Sequence, residues 1–312
     1  MYMLRREQFK DFFFETALPA LDKVISDSQE EFPMEHETLF NIRNTKREIV
    51  QDSQVTGMPS FGVVAEGEEY PIDGGVQGYN KTYRIQKYGS LCAMTYEWME
   101  DGNIEQYYKR AEQMGRSMRE TIKISAASVL NDAFASAGPD GQPLISSAHP
   151  LAYPGAGTTS NTLVTPADMS LSSIQDLVTV MRKTRDNSGK KVLVRPEFLV
   201  VAPELEFLAH ELLESEMKPQ AGLGGGLTEE NMVNALRGRY GLKPVVMDYL
   251  VDPDAFFLMA KKGSHEINWI WREQPNTDAD YEFKSDVALY KIRARWDVGF
   301  SDFRGIAGSP GI

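Results

Sequence analysis

One cysteine, Cys92, stands in 312 residues, so no intrachain disulfide framework is available. Its setting in the apolar run LCAMTY reads as a small buried hydrophobe rather than a nucleophile. No stretch approaches the roughly 18 consecutive apolar residues of a membrane span. The opening MYMLRREQFKDFFFE is amphipathic and charged from Arg5 onward, unlike a secretory signal. The expectation is a protein made and kept in the cytoplasm, with no membrane partner. Basic charge is also in deficit, 33 Lys and Arg against 45 Asp and Glu for a net charge of −12. That balance opposes a dedicated nucleic-acid binder, which needs a concentrated basic surface. The first half of the long helix described below is read as the one locally basic region.

Catalytic patterns are missing as well. The four histidines, His36, His149, His210 and His265, include no pair at helical spacing, no HExxH and no Cys/His cluster, so no metal site is expected. Ser146-Ser147-Ala148-His149 invites a nucleophile-and-base reading, but residues so close in a loop seldom reach triad geometry, and no GxSxG elbow is present. Gly222-Leu223-Gly224-Gly225-Gly226 lacks the following Lys-Ser/Thr of a phosphate loop and reads as flexible surface. Glu204 and Glu206 sit at a helix start, where carboxylates favour the dipole without any catalytic role. The expectation is a protein that is not an enzyme, with no catalytic residue, cofactor or metal.

What is present is architecture. Gly102 to Ala137 holds the longest helical pattern. Apolar or small residues recur at Ile104, Tyr108, Ala111, Gly115, Met118, Ile122, Ser125 or Ala126, Val129 and Ala133. Glu105, Lys109, Glu112, Arg116, Arg119 and Lys123 occupy the other side, read as solvated or facing another subunit; from Ile124 onward the polar face fades, predicting burial all round. At about 1.5 Å per residue the rod is on the order of 50 Å long, and such a rod needs something outside a compact core to lie against.

Ahead of it, residues 1–45 form an N-terminal arm with a helical stripe at Phe9, Phe12, Phe13, Ala17, Leu21 and Val24, broken near Pro19. The phenylalanines should pack on the chain or on a neighbour. Residues 46–100 alternate in KREIVQ and KTYRIQK around a glycine-rich acidic stretch, which predicts a long protruding hairpin with an acidic tip near Glu66 to Asp73. A projection of that size is unfavourable for a monomer unless it is mobile or lies on a partner.

After the helix comes a thirty-residue loop rich in Gly, Pro, Ser and Thr. Residues 168–284 read as an α/β unit: a helix from Leu171 to Arg185 closed by Asn187-Ser188-Gly189, a strand in VLVRPEFLVVAP, a helix opening at Pro203, a third helix near Asn231–Arg239, and short strands around Pro244–Met247, Ala255–Ala260 and Glu266–Trp271. Residues 285–312 hold a long alternating strand with Ala288, Tyr290, Ile292, Ala294 and Trp296 inward. There are no internal repeats.

Three phrases add a resemblance: DGQPLISSAHPL, MRKTRDNSGKKVLVRPEFLVVAPELEFLAHELL and RARWDVGFSDFRGIAGSPG. With the order arm, acidic hairpin, long helix, α/β unit and returning strand, the chain resembles tailed-bacteriophage major capsid proteins of the Hong Kong 97-type fold, and within them the Mu-like major head subunits. The resemblance implies an α+β capsid fold whose parts are an N-arm (1–45), an E-loop hairpin with its base strands (46–100), a spine helix with a P-domain loop (101–167), an A-domain (168–284), and a P-domain strand with a return to the A-domain (285–312). It implies a structural subunit forming pentamers and hexamers of an icosahedral shell around double-stranded DNA, without sequence-specific binding. The acidic charge suits a shell that encloses DNA without gripping it. Implied intersubunit contacts are Phe9, Phe12 and Phe13, the tip residues Glu66, Glu68, Glu69 and Tyr70, and Arg116 and Arg119. Lys81 beside Asn80 is too slight a signal for a covalent cross-link, so a non-covalent shell is expected. With some 45 residues before the hairpin, a separate scaffold is expected, together with a portal and decoration proteins. The location implied is the virion capsid, after assembly in the host cytoplasm. The alternatives are the shell of an encapsulin-like cellular nanocompartment and an α/β enzyme.

Overall fold

The computed structural model describes residues 34–55, 63–70, 77–101, 104–152, 157–216 and 234–312, with a few isolated positions before them. Phe9, Phe12, Phe13, the 222–226 glycine run and most of the N-terminal arm lie outside the described residues.

The element order is α1 (Glu35–Leu39), β1 (Asn41–Asn44), β2 (Ile49–Val55), β3 (Gln77–Arg84), β4 (Gln86–Thr95), α2 (Tyr96–Glu100), α3 (Ile104–Asn131), β5 (His149–Pro150), β6 (Thr158–Thr159), α4 (Leu171–Lys183), β7 (Pro196–Val201), α5 (Glu206–Glu214), α6 (Ala235–Arg239), β8 (Lys243–Val246), β9 (Phe256–Ala260), β10 (Glu266–Glu282), β11 (Val287–Asp302) and β12 (Ile306–Ser309). One sheet runs β1-β10-β11-β4 and a second runs β12-β9-β7-β8; two further pairs are β2-β3 and β5-β6.

The first sheet and α3 enclose the larger core. Along β11 alternate residues point inward, and Ala288, Tyr290, Ile292, Ala294 and Trp296 are all buried, as their period of two predicts. The α3 stripe meets them with Ala111, Met114, Met118, Ile122, Ala126, Val129 and Ala133. The buried tyrosine of the first turn is Tyr107, while Tyr108 is half-buried, so the stripe starts one residue earlier than the spacing predicts. The helix also ends at Asn131, several residues short of Ala137. Its second half is not buried all round, since Ile124 is 51% exposed. Trp269, Trp271 and Trp296 pack with ring centres 5.3–5.9 Å apart, and Tyr88 stacks on Trp296 at 3.8 Å. Offset aromatic packing of this kind adds to simple area burial.

The largest departure from the sequence reading is β10, which runs for 17 residues rather than stopping at Trp271. Beyond Trp271 most of its residues are polar, and the ladder with β11 shifts register near Glu273 and Asn276, around Pro275. Cross-strand pairs Lys291–Asp278 at 2.7 Å and Arg293–Glu273 at 2.9 Å join this half. Its half-buried positions, Thr277, Ala279 and Tyr281, alternate with exposed Asp278, Asp280 and Glu282, a period of two carried by few apolar side chains.

The second sheet holds the smaller core, in which Leu199, Val201, Phe256, Leu258 and Ala307 pack against Ile174, Leu177 and Leu212 of α4 and α5. Helix α4 starts at a reciprocal cap, with Ser170 accepting from Ser173 N and Ser173 Oγ accepting from Ser170 N. It ends at Lys183, short of Arg185. The Asn187-Ser188-Gly189 turn is a separate feature beyond the cap, folded on Asp186 Oδ1, which accepts from Ser188 N, Ser188 Oγ and Lys190 N. Pro203 opens a single 3-10 turn before α5.

Candidate assembly surfaces

The β2–β3 pair is an antiparallel hairpin in which Ile49 faces Arg84 and Ser53 faces Asn80. Its base is bound to the first sheet by polar contacts. Arg43 Nη1 meets Asp52 Oδ2 at 2.5 Å, Ser301 Oγ donates to the same oxygen, Tyr83 Oη and Ser301 Oγ lie 2.7 Å apart, and Gln54 Nε2 donates to Asp302 Oδ2 at 2.6 Å. Burial pushes the Tyr83 phenol up to about 12. Beneath these contacts Tyr83, Ile85 and Ile270 form a small apolar cluster. A polar cavity of about 650 Å³ opens beside the base, lined in part by Arg43, Asp52, Glu266 and Arg304.

Among the described residues, contacts to the rest of the chain stop further along the hairpin. Glu66, Glu68, Glu69 and Tyr70 are all exposed, with Val63 fully exposed and Tyr70 at 83%. The turn is local: Glu68 N donates to Ala65 O, Ala65 N donates to Glu68 Oε2, and Gly67 sits at φ +89. Lys81 projects over the Tyr83 and Phe300 rings at the base, 5.6–6.0 Å from their centres.

The two helix arginines separate. Arg116 is exposed and pairs with Glu112 one turn back at 2.8 Å. Arg119, grouped with it by the sequence reading, is 5% exposed and lines a cavity with Met34, His36 and Trp271. Helix α1 packs over this part of α3 and draws the side chain inward, and Lys123 is drawn in the same way to Glu35 at 2.7 Å.

The Ser146–His149 cluster is a structural knot. Asn161 Nδ2 donates to the carbonyls of Leu144 and Ile306, which leaves Oδ1 to accept from Ser146 N at 2.8 Å and from His149 Nε2 at 3.1 Å. His149 Nδ1 meets Asp140 Oδ2 at 2.6 Å, and the ring stacks on Phe303 at 3.7 Å. His149 is fully buried and the Asp140 side chain is 4% exposed. Ser146 Oγ points to Gln142 instead, so no nucleophile faces the imidazole. His36 and His265 are likewise buried, and burial lowers both to about 4. Burial raises the thiol of the half-buried Cys92. Among the described residues no group of three or more His, Cys, Asp or Glu could hold a metal, and no helix is long and apolar enough to cross a membrane.

The sequence reading missed one charged region. Residues 182–195 carry Arg182, Lys183, Arg185, Lys190, Lys191 and Arg195 against Asp186 alone, a density that a sliding count of charge would have shown.

The sequence model of a family described as phage capsid protein matches residues 78–309. The chain belongs to the phage capsid protein family. The solved structures similar to this capsid protein include a virus-like particle from Pyrococcus furiosus, at TM-score 0.56 and 9% identity over 94% of this chain and 99% of that one. The capsid of the cyanophage P-SCSP1u aligns at 0.54 and 12% identity over 88% and 86%. The capsid of bacteriophage JBD30 decorated with minor capsid protein trimers aligns at 0.53 and 14% identity over 70% and 91%. No curated protein sequence matches. The fold is the mixed helix-and-sheet Hong Kong 97-type capsid fold, and the capsid protein is a structural component of the virion shell that assembles in many copies.

Proposed function

We propose that this capsid protein forms the hexamers and pentamers of an icosahedral shell enclosing double-stranded DNA, and that the β2–β3 hairpin straps neighbouring subunits together. The observation that carries the reading is the hairpin: its base is held to the first sheet by side-chain hydrogen bonds, while residues 63–70 expose Val63, Tyr70 and three glutamates. In this reading residues 1–45 are the N-arm, 46–100 the E-loop, 101–167 the spine helix with a P-domain loop, 168–284 the A-domain and 285–312 the P-domain strand with its return. Glu66, Glu68, Glu69, Tyr70 and Arg116, with Phe9, Phe12 and Phe13 of the arm, contact neighbouring copies. The buried Arg119 serves the chain's own α1–α3 packing instead. The role is structural, without catalysis. A separate scaffold, a portal and decoration proteins complete the particle, assembled in the host cytoplasm. The three sequence phrases support the finer placement among Mu-like head subunits.

Electron microscopy of the protein expressed alone and with its neighbouring genes tests the reading. Closed shells, tubes or sheets of hexamers are expected, and discrete small oligomers under both conditions would refute it. The coverage of the Pyrococcus furiosus particle, 94% and 99%, favours one second reading, the shell of a cellular nanocompartment; protein cargo rather than DNA inside purified particles would select it.

A further inference from the structure

A cavity of about 230 Å³ beside the second sheet is lined by Arg182, Arg195, Pro196, Arg239 and Tyr240. The three arginines come from separate places: the last turn of α4, the residue before β7 and the last residue of α6. Among the described residues no carboxylate lines this space. Nearby cations do find acids, Arg237 pairing with Glu216 at 3.1 Å and Lys243 with Glu197 at 2.9 Å. Arg182, Arg195 and Arg239 form no ion pair among the described residues. Arg182 Nη1 donates to Tyr240 Oη at 3.1 Å, which orients the guanidinium without neutralising it, and Pro196 forms a buried floor that offers no N–H. In a chain of net charge −12, three exposed arginines that share one pocket with no carboxylate among the described residues make a local basic site. Guanidinium presents a planar fork of donors suited to phosphate oxygens.

We propose that this pocket binds the phosphate backbone of nucleic acid held inside the shell, giving an otherwise acidic subunit one local point of contact with its contents. Exposed Lys183 and Lys191 belong to the same basic segment, and charge repeated along a segment suits a polyanion better than a single carboxylate. The proposal rests on the capsid reading.

The test measures anisotropy of a fluorescein-labelled DNA duplex with full-length soluble subunits across a sodium chloride series, for the wild type and the triple variant Arg182→Gln, Arg195→Gln, Arg239→Gln. Thermal melting and electron microscopy of both proteins accompany it. The expected result is salt-sensitive binding by the wild type. In the variant, affinity falls at least about tenfold and the slope of log K against log salt shrinks by roughly two to three, with the same melting temperature and normal shells. Equal affinity in the variant overturns the proposal while leaving the shell reading intact. Stabilisation by inorganic phosphate without duplex binding overturns the nucleic-acid assignment. So does a folded variant that fails to form shells, because the arginines would then bridge subunits.

Discussion

The described loop residues around His149 (138–152 and 157–161) and the hairpin tip from Val63 to Tyr70 are both polar, glycine-containing connections, yet they are built in opposite ways. In the loop, His149, Asp140 and Asn161 satisfy one another and the backbone at 2.6–3.2 Å, out of contact with water. In the tip, the described hydrogen bonds stay within residues 65–68, and the side chains face outward. A buried polar network is stable only when fully paired, so the loop is complete within one subunit. The tip has its groups solvated and its apolar side chains unburied, a state that improves only when another surface arrives.

The comparison is broken most forcefully at His149. Replacing it with Ala should cost about 3 kcal/mol, because Asp140 Oδ2 and Asn161 Oδ1 lose a buried partner and the ring's place against Phe303 is left empty. Denaturant unfolding of the isolated subunit measures this, and a loss under about 1 kcal/mol would mean that the loop is not self-sufficient. No hydrolytic activity should change with it.

Acid tests the interior next. His36 and His265 have folded pKa values near 4, below the unfolded value of 6.5. Between those values the unfolded chain binds more protons, so the stability they confer is complete above about pH 6.5 and is lost as pH falls toward 4. The loss is on the order of 3 kcal/mol per histidine at most. Unfolding titrations at pH 7 and 5 should show it, and His36→Phe should flatten the decline; an unchanged slope would remove His36 from the explanation.

Deleting residues 64–70 should change subunit stability by less than about 1 kcal/mol, while shell closure fails or the particles become fragile under electron microscopy. A large drop in subunit stability would make the tip part of the core. The smallest effect is expected from changing Glu66, Glu68 and Glu69 together to Gln: about 0.5 kcal/mol or less on the subunit, with a weaker salt dependence of assembly. Assembly that responds to salt as before would leave shape rather than charge as the tip's contribution.

Much of this was legible in residue order. The period-two run from Ala288 to Trp296 and the three- and four-residue spacing from Ala111 to Ala133 each identified a buried face, because one side of each element meets a core. The acidic hairpin was legible for the opposite reason, since its stretch lacks enough bulky apolar residues to fold on itself. The far half of β10 was missed because its inward residues Thr277, Ala279 and Tyr281 are weak apolar signals among acids, and pairing with β11 supplies most of its order. Arg119 was misplaced because periodicity knows only its own helix, and α1 covers that turn from elsewhere in the chain. The pocket of Arg182, Arg195 and Arg239 was hidden because its members stand up to 57 positions apart, although the basic run containing two of them was in plain view.

By itself, then, the sequence determined the kind of elements, the inward faces of the two longest ones, the acidic protrusion and the family. Those follow from local periodicity and composition, which neighbouring residues encode directly. Only the tertiary structure decided which polar groups are partners. It made His149 a buried knot rather than a base, turned Arg119 inward, extended β10 along β11 and gathered three arginines around Tyr240. Such partnerships depend on distances between segments far apart in the chain, which close packing sets and no local pattern records.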